Sequence, residues 1–158
     1  MSAMKPSARR VQDTLQAHGL ACEVVEMPAS TRTAEEAARA IGCSVAQIAK
    51  SIVFKASESG GAVLVIASGV NRVNEKAVAA SLGENIERAS PDFVRESTGF
   101  AIGGVPPCGH ARPLPVFIDR DILDLGVVWA AAGTPNAVFR IDAEDLVRLT
   151  GGRVVDIS

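Results

Sequence analysis

Residues 99–110 read Gly-Phe-Ala-Ile-Gly-Gly-Val-Pro-Pro-Cys-Gly-His, with four glycines and two consecutive prolines in twelve positions. No helix or central strand tolerates that composition. Proline fixes φ near −65° and removes a main-chain donor, and glycine admits left-handed backbone that other residues avoid. The stretch therefore folds as an irregular loop of fixed shape, and the regular elements must be arranged on either side of it. Such a loop is either a plain turn between strands or a cradle whose unspent N–H groups face a small polar ligand.

At 158 residues, 47% of them hydrophobic, the chain is predicted to form one domain spanning residues 1–158. The formal charge of −2, the absence of Tyr and the single Trp argue against a general nucleic-acid binder. Such a binder shows a basic stripe or a base-stacking platform. A protein that grips only the end of an RNA is not excluded. Cys22, Cys43 and Cys108 are widely spaced, with no Cys-x-x-Cys and no zinc-ligand spacing with the two histidines. No metal and no cofactor are therefore expected, and a reduced, cytoplasmic setting is the default. Lys5, Arg9 and Arg10 precede no apolar signal region, and no apolar run approaches a membrane span.

Along the chain, residues 7–18 read as a helix with Ser7 as N-cap and Gly19 at its end. Residues 22–27 make a short strand stopped by Pro28. Thr33 and Glu36 have capping-box spacing, opening a helix over 34–41 that Gly42 closes. Ser44 caps a second short helix with Val45, Ile48 and Ala49 on its buried side, and Lys50 then sits at a helix-to-strand junction, with Lys55 beyond the strand. A Ser-Gly-Gly turn joins that strand to the apolar run 62–67, which predicts an antiparallel pair. Asn74 caps a helix over 75–82, and Pro91 opens another over 91–97. Strands follow at 100–102, 115–119, 127–132, 137–141 and 154–157, with a short turn or helix at 121–125 and a helix at 143–149. The fold class is α+β: roughly seven strands and five helices in irregular alternation, with a mixed and mostly antiparallel sheet.

The usual catalytic signatures are absent: no nucleophile elbow, no P-loop, no His-Glu-x-x-His. Cys108 with His110 two residues on is one candidate thiol–base pair. What remains is the Gly/Pro loop, a second one at Gly133-Thr134-Pro135-Asn136, Lys50, and a Thr-rich loop holding Thr31 and Thr33. Main-chain donors plus one cation suit the stabilisation of a developing oxyanion beside a phosphate.

Four segments in order carry a resemblance: 33–38, Gln47 to Phe54, Gly99 to Gly109, and Ala132 to Asn136. From about residue 10 onward the chain resembles the YbaK/ProX family of trans-editing aminoacyl-tRNA deacylases, which is related to the editing domain of bacterial prolyl-tRNA synthetases. The resemblance implies a compact fold with a barrel-like sheet. It also implies hydrolysis, without a cofactor, of the ester joining a small wrong amino acid to a tRNA, very often tRNA(Pro). Aminoacyl-tRNA is then the partner, with prolyl-tRNA synthetase as a second candidate. In that reading Lys50 engages the terminal adenosine or its phosphate, and Gly103, Gly104 and Gly109 belong to the catalytic loop. Thr31, Thr33, Ser51, Pro106, Pro107, Cys108, His110, Gly133, Thr134 and Asn136 bind substrate. The nucleophile is water or the tRNA 2′-hydroxyl rather than a side chain.

Two departures stand out. Some relatives carry a histidine in the loop matching Gly133 to Asn136, whereas here His110 follows the first loop. Pro106-Pro107 stands where several relatives have Ser-Pro or Thr-Pro. Two other readings remain: a non-catalytic module binding a tRNA end, a nucleotide or a synthetase, and the Cys108 thiol enzyme.

Overall fold

Helix boundaries follow from side chains that satisfy the first orphan N–H groups. In the computed structural model, which describes residues 4–157, Thr33 accepts from Glu36 N, Asn74 from Ala77 N and Ser90 from Phe93 N. These caps open α2 (Ala34–Ile41), α3 (Glu75–Leu82) and α4 (Pro91–Thr98). The first helix departs from expectation. α1 is Pro6–Ala17 with Lys5 at the N-cap, so Ser7 lies inside the helix. Proline at the first helical position is already at helical φ and has no N–H to satisfy, which moves the start forward.

The remaining elements are β1 (Val24–Glu26), a single 3-10 turn (Val45–Gln47), β2 (Ile48–Ala56), β3 (Ala62–Ser68), β4 (Ile86–Arg88) and β5 (Val116–Asp119). They are followed by α5 (Arg120–Leu123), β6 (Val127–Ala131), β7 (Ala137–Asp142), α6 (Ala143–Thr150) and β8 (Arg153–Val155). Four expectations are corrected. Residues 100–102 form a turn, because Gly103 is held at φ +98° and Gly104 N donates to Ala101 O at 3.2 Å. The helix after Ser44 is one 3-10 turn. Lys50 and Lys55 both lie within β2 rather than at its ends. β4 was not anticipated, since Ile86 is its only apolar residue.

The eight strands form one mixed sheet in the order β1-β7-β6-β2-β3-β5-β8, with β4 joined to β2 off that path. Pairs β1–β7, β6–β7, β2–β3 and β2–β4 are antiparallel, and β2–β6, β3–β5 and β5–β8 are parallel. This is the mixed, mostly antiparallel α+β sheet that the pattern of turns predicts. β3 is buried on both faces: Leu64 and Ile66 join the main core with Leu15, Phe100 and Phe139, while Val63, Val65 and Ala67 pack with Val78 and Phe117. That two-sided burial is why residues 62–67 read as an unbroken apolar run.

Candidate functional site

The site originates in a gap in the sheet. β6 pairs with β2 only at Ile48 and Ala49, and β4 pairs with it only from Phe54 to Ala56. Between them, residues 50–53 keep β3 on one edge and have no strand on the other. Ala56 and Gly61 bond across the hairpin, so alternate residues of β2 face β3. Ser51 and Val53 therefore direct their main-chain groups into the gap. The Ser51 side-chain oxygen is buried there without a hydrogen-bond partner among the described residues.

Where β2 and β6 diverge, a wedge-shaped inner cavity of about 90 Å³ opens. Its walls are Ala37 of α2, Ile48, Trp129, Ala130 and Val138 of the sheet, and Val105. It continues into an outer groove of about 880 Å³ beside residues 69–73 and Arg88. Arg32, Thr33, Lys50, Ser51, Gly103 and Val105 border both spaces.

Of the residues singled out from sequence, Thr31, Thr33, Lys50, Ser51 and Gly103 line this cleft. Two of their hydroxyls are already used, because Thr31 Oγ1 donates to Pro135 O at 3.0 Å and Thr33 Oγ1 accepts from Glu36 N at 3.1 Å. Gly103 supplies the third position of the 101–104 turn, and a Cβ there would lie 3.0 Å from Arg32 Nε. No partner among the described residues takes the N–H of Gly103 or of Val105.

Gly104 has a different place from the one its sequence position suggests. Its N–H is spent on Ala101, its carbonyl accepts from Gly133 N at 2.9 Å, and a Cβ would lie 2.8–2.9 Å from the Thr134 backbone. The two Gly/Pro loops thus stack back to back. The second loop clamps the Thr-rich segment from behind. Asn136 O accepts from Met27 N at 2.7 Å, Asn136 Nδ2 donates to Met27 O at 3.0 Å, and Thr31 N donates to Pro135 O at 2.7 Å. Thr134 Oγ1 in turn donates to Asn136 Oδ1. Gly133, Thr134 and Asn136 do not border the cleft.

Pro106, Pro107, Cys108, Gly109 and His110 also lie off the cleft. Cys108 belongs to the main core beside Cys22, and burial pushes its thiol up to about 12. The thiol-nucleophile reading is thereby corrected: a buried, protonated sulfur off the cleft has neither the charge nor the access to attack. His110 Nε2–H donates to Pro106 O at 2.7 Å and its ring meets Phe100 edge-on, while Arg10 sits 5.0 Å from the other partner of that ring's environment, the Phe100 centroid. Burial lowers the His110 pKa, partly offset by the bond to Pro106. The contacts His110 makes among the described residues are those of a residue packed within the loop.

Sequence reasoning missed Arg32, Val105, Trp129, Arg72 and Arg88. Arg32 carried a readable signal, a cation between two threonines just before a helix start. Trp129 and Arg88 reach the cleft through the strand register, and Val105 and Arg72 through loops whose course the sequence does not show.

The fold is thus a mixed-sheet domain with a small, largely apolar cavity opening into a wider groove, with Lys50 bordering both. Residues 28–149 match the family model described as "Aminoacyl-tRNA editing domain", and the chain belongs to that family. It is similar to a crystal structure described as "a putative trans-editing enzyme for prolyl tRNA synthetase", with TM-score 0.92 and 50% identity over 99% of each chain. It is 32% identical over 132 residues to "Uncharacterized protein YwhH" of Bacillus subtilis, covering 84% of this chain and 83% of that one. "Putative Cys-tRNA(Pro)/Cys-tRNA(Cys) deacylase EbsC" of Enterococcus faecalis is 23% identical over 126 residues, 80% of this chain and 77% of that protein.

Proposed function

We propose that this protein hydrolyses the ester joining a small amino acid to the 3′ end of a mischarged tRNA, acting in trans on tRNA(Pro). The observation that carries this reading is the inner cavity of about 90 Å³. Its walls are mostly apolar, and Lys50, Gly103 and Val105 are among the lining residues, the N–H groups of the last two having no partner among the described residues. Family membership and the names of the two editing relatives support the same chemistry.

In this mechanism the aminoacyl side chain enters the wedge and the carbonyl oxygen turns toward the Gly103 and Val105 amides. Those donors stabilise the charge that develops as the tetrahedral intermediate forms. Water attacks the carbonyl carbon, either of the original ester or of the ester formed after the neighbouring ribose hydroxyl has taken over the acyl group and the first ribose oxygen has left with a proton. The carbonyl–ribose C–O bond breaks, the ribose oxygen takes a proton, and the amino acid leaves. The Lys50 ammonium holds the terminal adenosine or its phosphate at the boundary between cavity and groove. Gly104, the Pro106 to His110 segment and the Gly133 to Asn136 loop act from behind, by fixing the two loops that form the walls. Size sets most of the selection, since Thr31 Oγ1 already donates to Pro135 O and Thr33 Oγ1 already accepts from Glu36 N, while the unpartnered Ser51 hydroxyl is left on the cavity wall for a polar group of the substrate. An apolar wall distinguishes neighbours differing by one methylene by about 1–3 kcal/mol. With a net charge of −2, the protein has a weak hold on the tRNA body, and prolyl-tRNA synthetase supplies the rest.

The test is a deacylation panel on tRNA(Pro) charged with Ala, Cys, Ser, Thr or Pro, with Lys50→Ala beside the wild type. Rapid loss of a small residue, with Pro spared and the variant at least 100-fold slower but folded, is the expected outcome. Binding to the charged tRNAs without multiple turnover would instead make the protein a non-catalytic module.

A further inference from the structure

The outer groove is about ten times the volume of the inner cavity, 880 against 90 Å³. An aminoacyl group and one ribose do not need that space. Its lining is also unlike the rest of this acidic chain: Arg32, Lys50, Arg72 and Arg88 border it against the single carboxylate of Glu75. The ion pairs among the described residues involve Arg9, Arg120 and Arg148, so none of the four groove cations is neutralised within the protein. Two of the four large apolar side chains most exposed to solvent also border this groove, Val70 at 64% and Ile102 at 47%. The groove floor is the open edge of β2, where Ser51 and Val53 leave main-chain donors and acceptors without a strand.

Unpaired cations, exposed aliphatic surface and free main-chain groups in one trough match a single-stranded nucleic-acid segment, with its phosphates, base faces and base edges. We propose that the groove is a track for the nucleotides that precede the aminoacylated one. Arg72 and Arg88 neutralise their phosphates, and Val70 and Ile102 give aliphatic surface to a base in a chain with little aromatic surface to offer. The inference rests on the editing reading of the adjoining cavity and extends it. The recognised unit is a short single strand rather than a terminal aminoacyl nucleoside, and Arg72 and Arg88 are positioning residues without a part in bond breaking.

Arg72→Gln/Arg88→Gln is compared with wild type on two substrates, mischarged tRNA and the matching 3′-O-aminoacyl adenosine, which has no phosphate. The expected result is a KM for the tRNA raised at least 10-fold with kcat retained, and no change on the nucleoside ester. The salt dependence of 1/KM should also flatten by about 1.4 in log–log slope, the share of two phosphates in a single strand. Equal losses on both substrates, or none on either, would overturn the track. If wild type hydrolyses neither substrate, the editing reading fails separately. The track is then decided by anisotropy with a 5′-fluorescein CCA trinucleotide. Binding whose salt slope falls by the same amount in the double variant supports it; no binding, or an unchanged slope, overturns it.

Discussion

Cys108 and His110 are two residues apart, and their chemistry is set by burial rather than by that proximity. The Cys108 thiol stays protonated up to about pH 12 in the folded protein, against an ordinary value of 9.0. A group whose folded pKa is raised gives stability that is complete below the unfolded value and lost as pH rises toward the folded one. The stability difference between wild type and Cys108→Ala should therefore narrow between pH 9 and about 12, read as paired thermal midpoints. Deacylation by Cys108→Ser should stay within about twofold of wild type at neutral pH. His110 has the opposite sign, since its folded pKa is lowered. Its contribution is full above its unfolded value and is lost as pH falls below 6.5, with the unfolded chain taking the proton first. In His110→Phe, that part of the acid destabilisation should disappear from the pH profile of the midpoint.

Elements meet through contacts that no single element specifies. The Gln12 side chain of α1, 7% exposed, accepts from Val24 N at 2.8 Å and donates to Cys22 O at 3.0 Å. It covers the free edge of β1 as a neighbouring strand would, which keeps that edge from pairing with another chain. Gln12→Ala leaves the buried Val24 N–H unpaired and the half-buried Cys22 carbonyl without its donor, and should cost about 1–3 kcal/mol in denaturant unfolding. Gly104→Ala places a Cβ against the Thr134 backbone. It should cost about 1–3 kcal/mol and slow deacylation by shifting Val105 at the cavity wall.

These contacts mark the limit of what the sequence shows. Helix ends were readable because Thr33, Asn74, Ser90 and the glycines after α2, α3, α4 and α6 act within four residues of themselves. Lys50 stood out as a cation among apolar and small residues and Gly103 as part of a Gly/Pro-rich loop, and the resemblance is what singled them out further. The positions of Gly104 and Asn136 behind the cleft did not, and neither did Arg72 and Arg88 along it. Each depends on which strands pair and where pairing stops. β4 was hidden for a related reason: three residues with one apolar side chain carry no period.

Across the whole molecule, charge is sorted by face although it nearly cancels in total. The outer groove carries four cations and one carboxylate, whereas Glu23, Asp142 and Asp145 gather with Arg140 around a separate depression beside β1 and β7. That polarity orients an approaching polyanion toward the groove, so association should slow as ionic strength rises. No group of three metal-ligating side chains occurs among the described residues.

The interruption in pairing along β2 also makes a prediction about hydrogen exchange. Amides in the middle of a nine-residue central strand ordinarily exchange only when a large part of the structure opens. Ser51 and Val53 lack the strand partner that would protect them, so they should lose deuterium in the free protein far faster than Ile52, which bonds across to β3. A ligand that fills the groove supplies the missing acceptors, and those two amides should slow while their neighbours change little. Two exchange rates in the centre of the sheet thus report directly on whether the site is occupied.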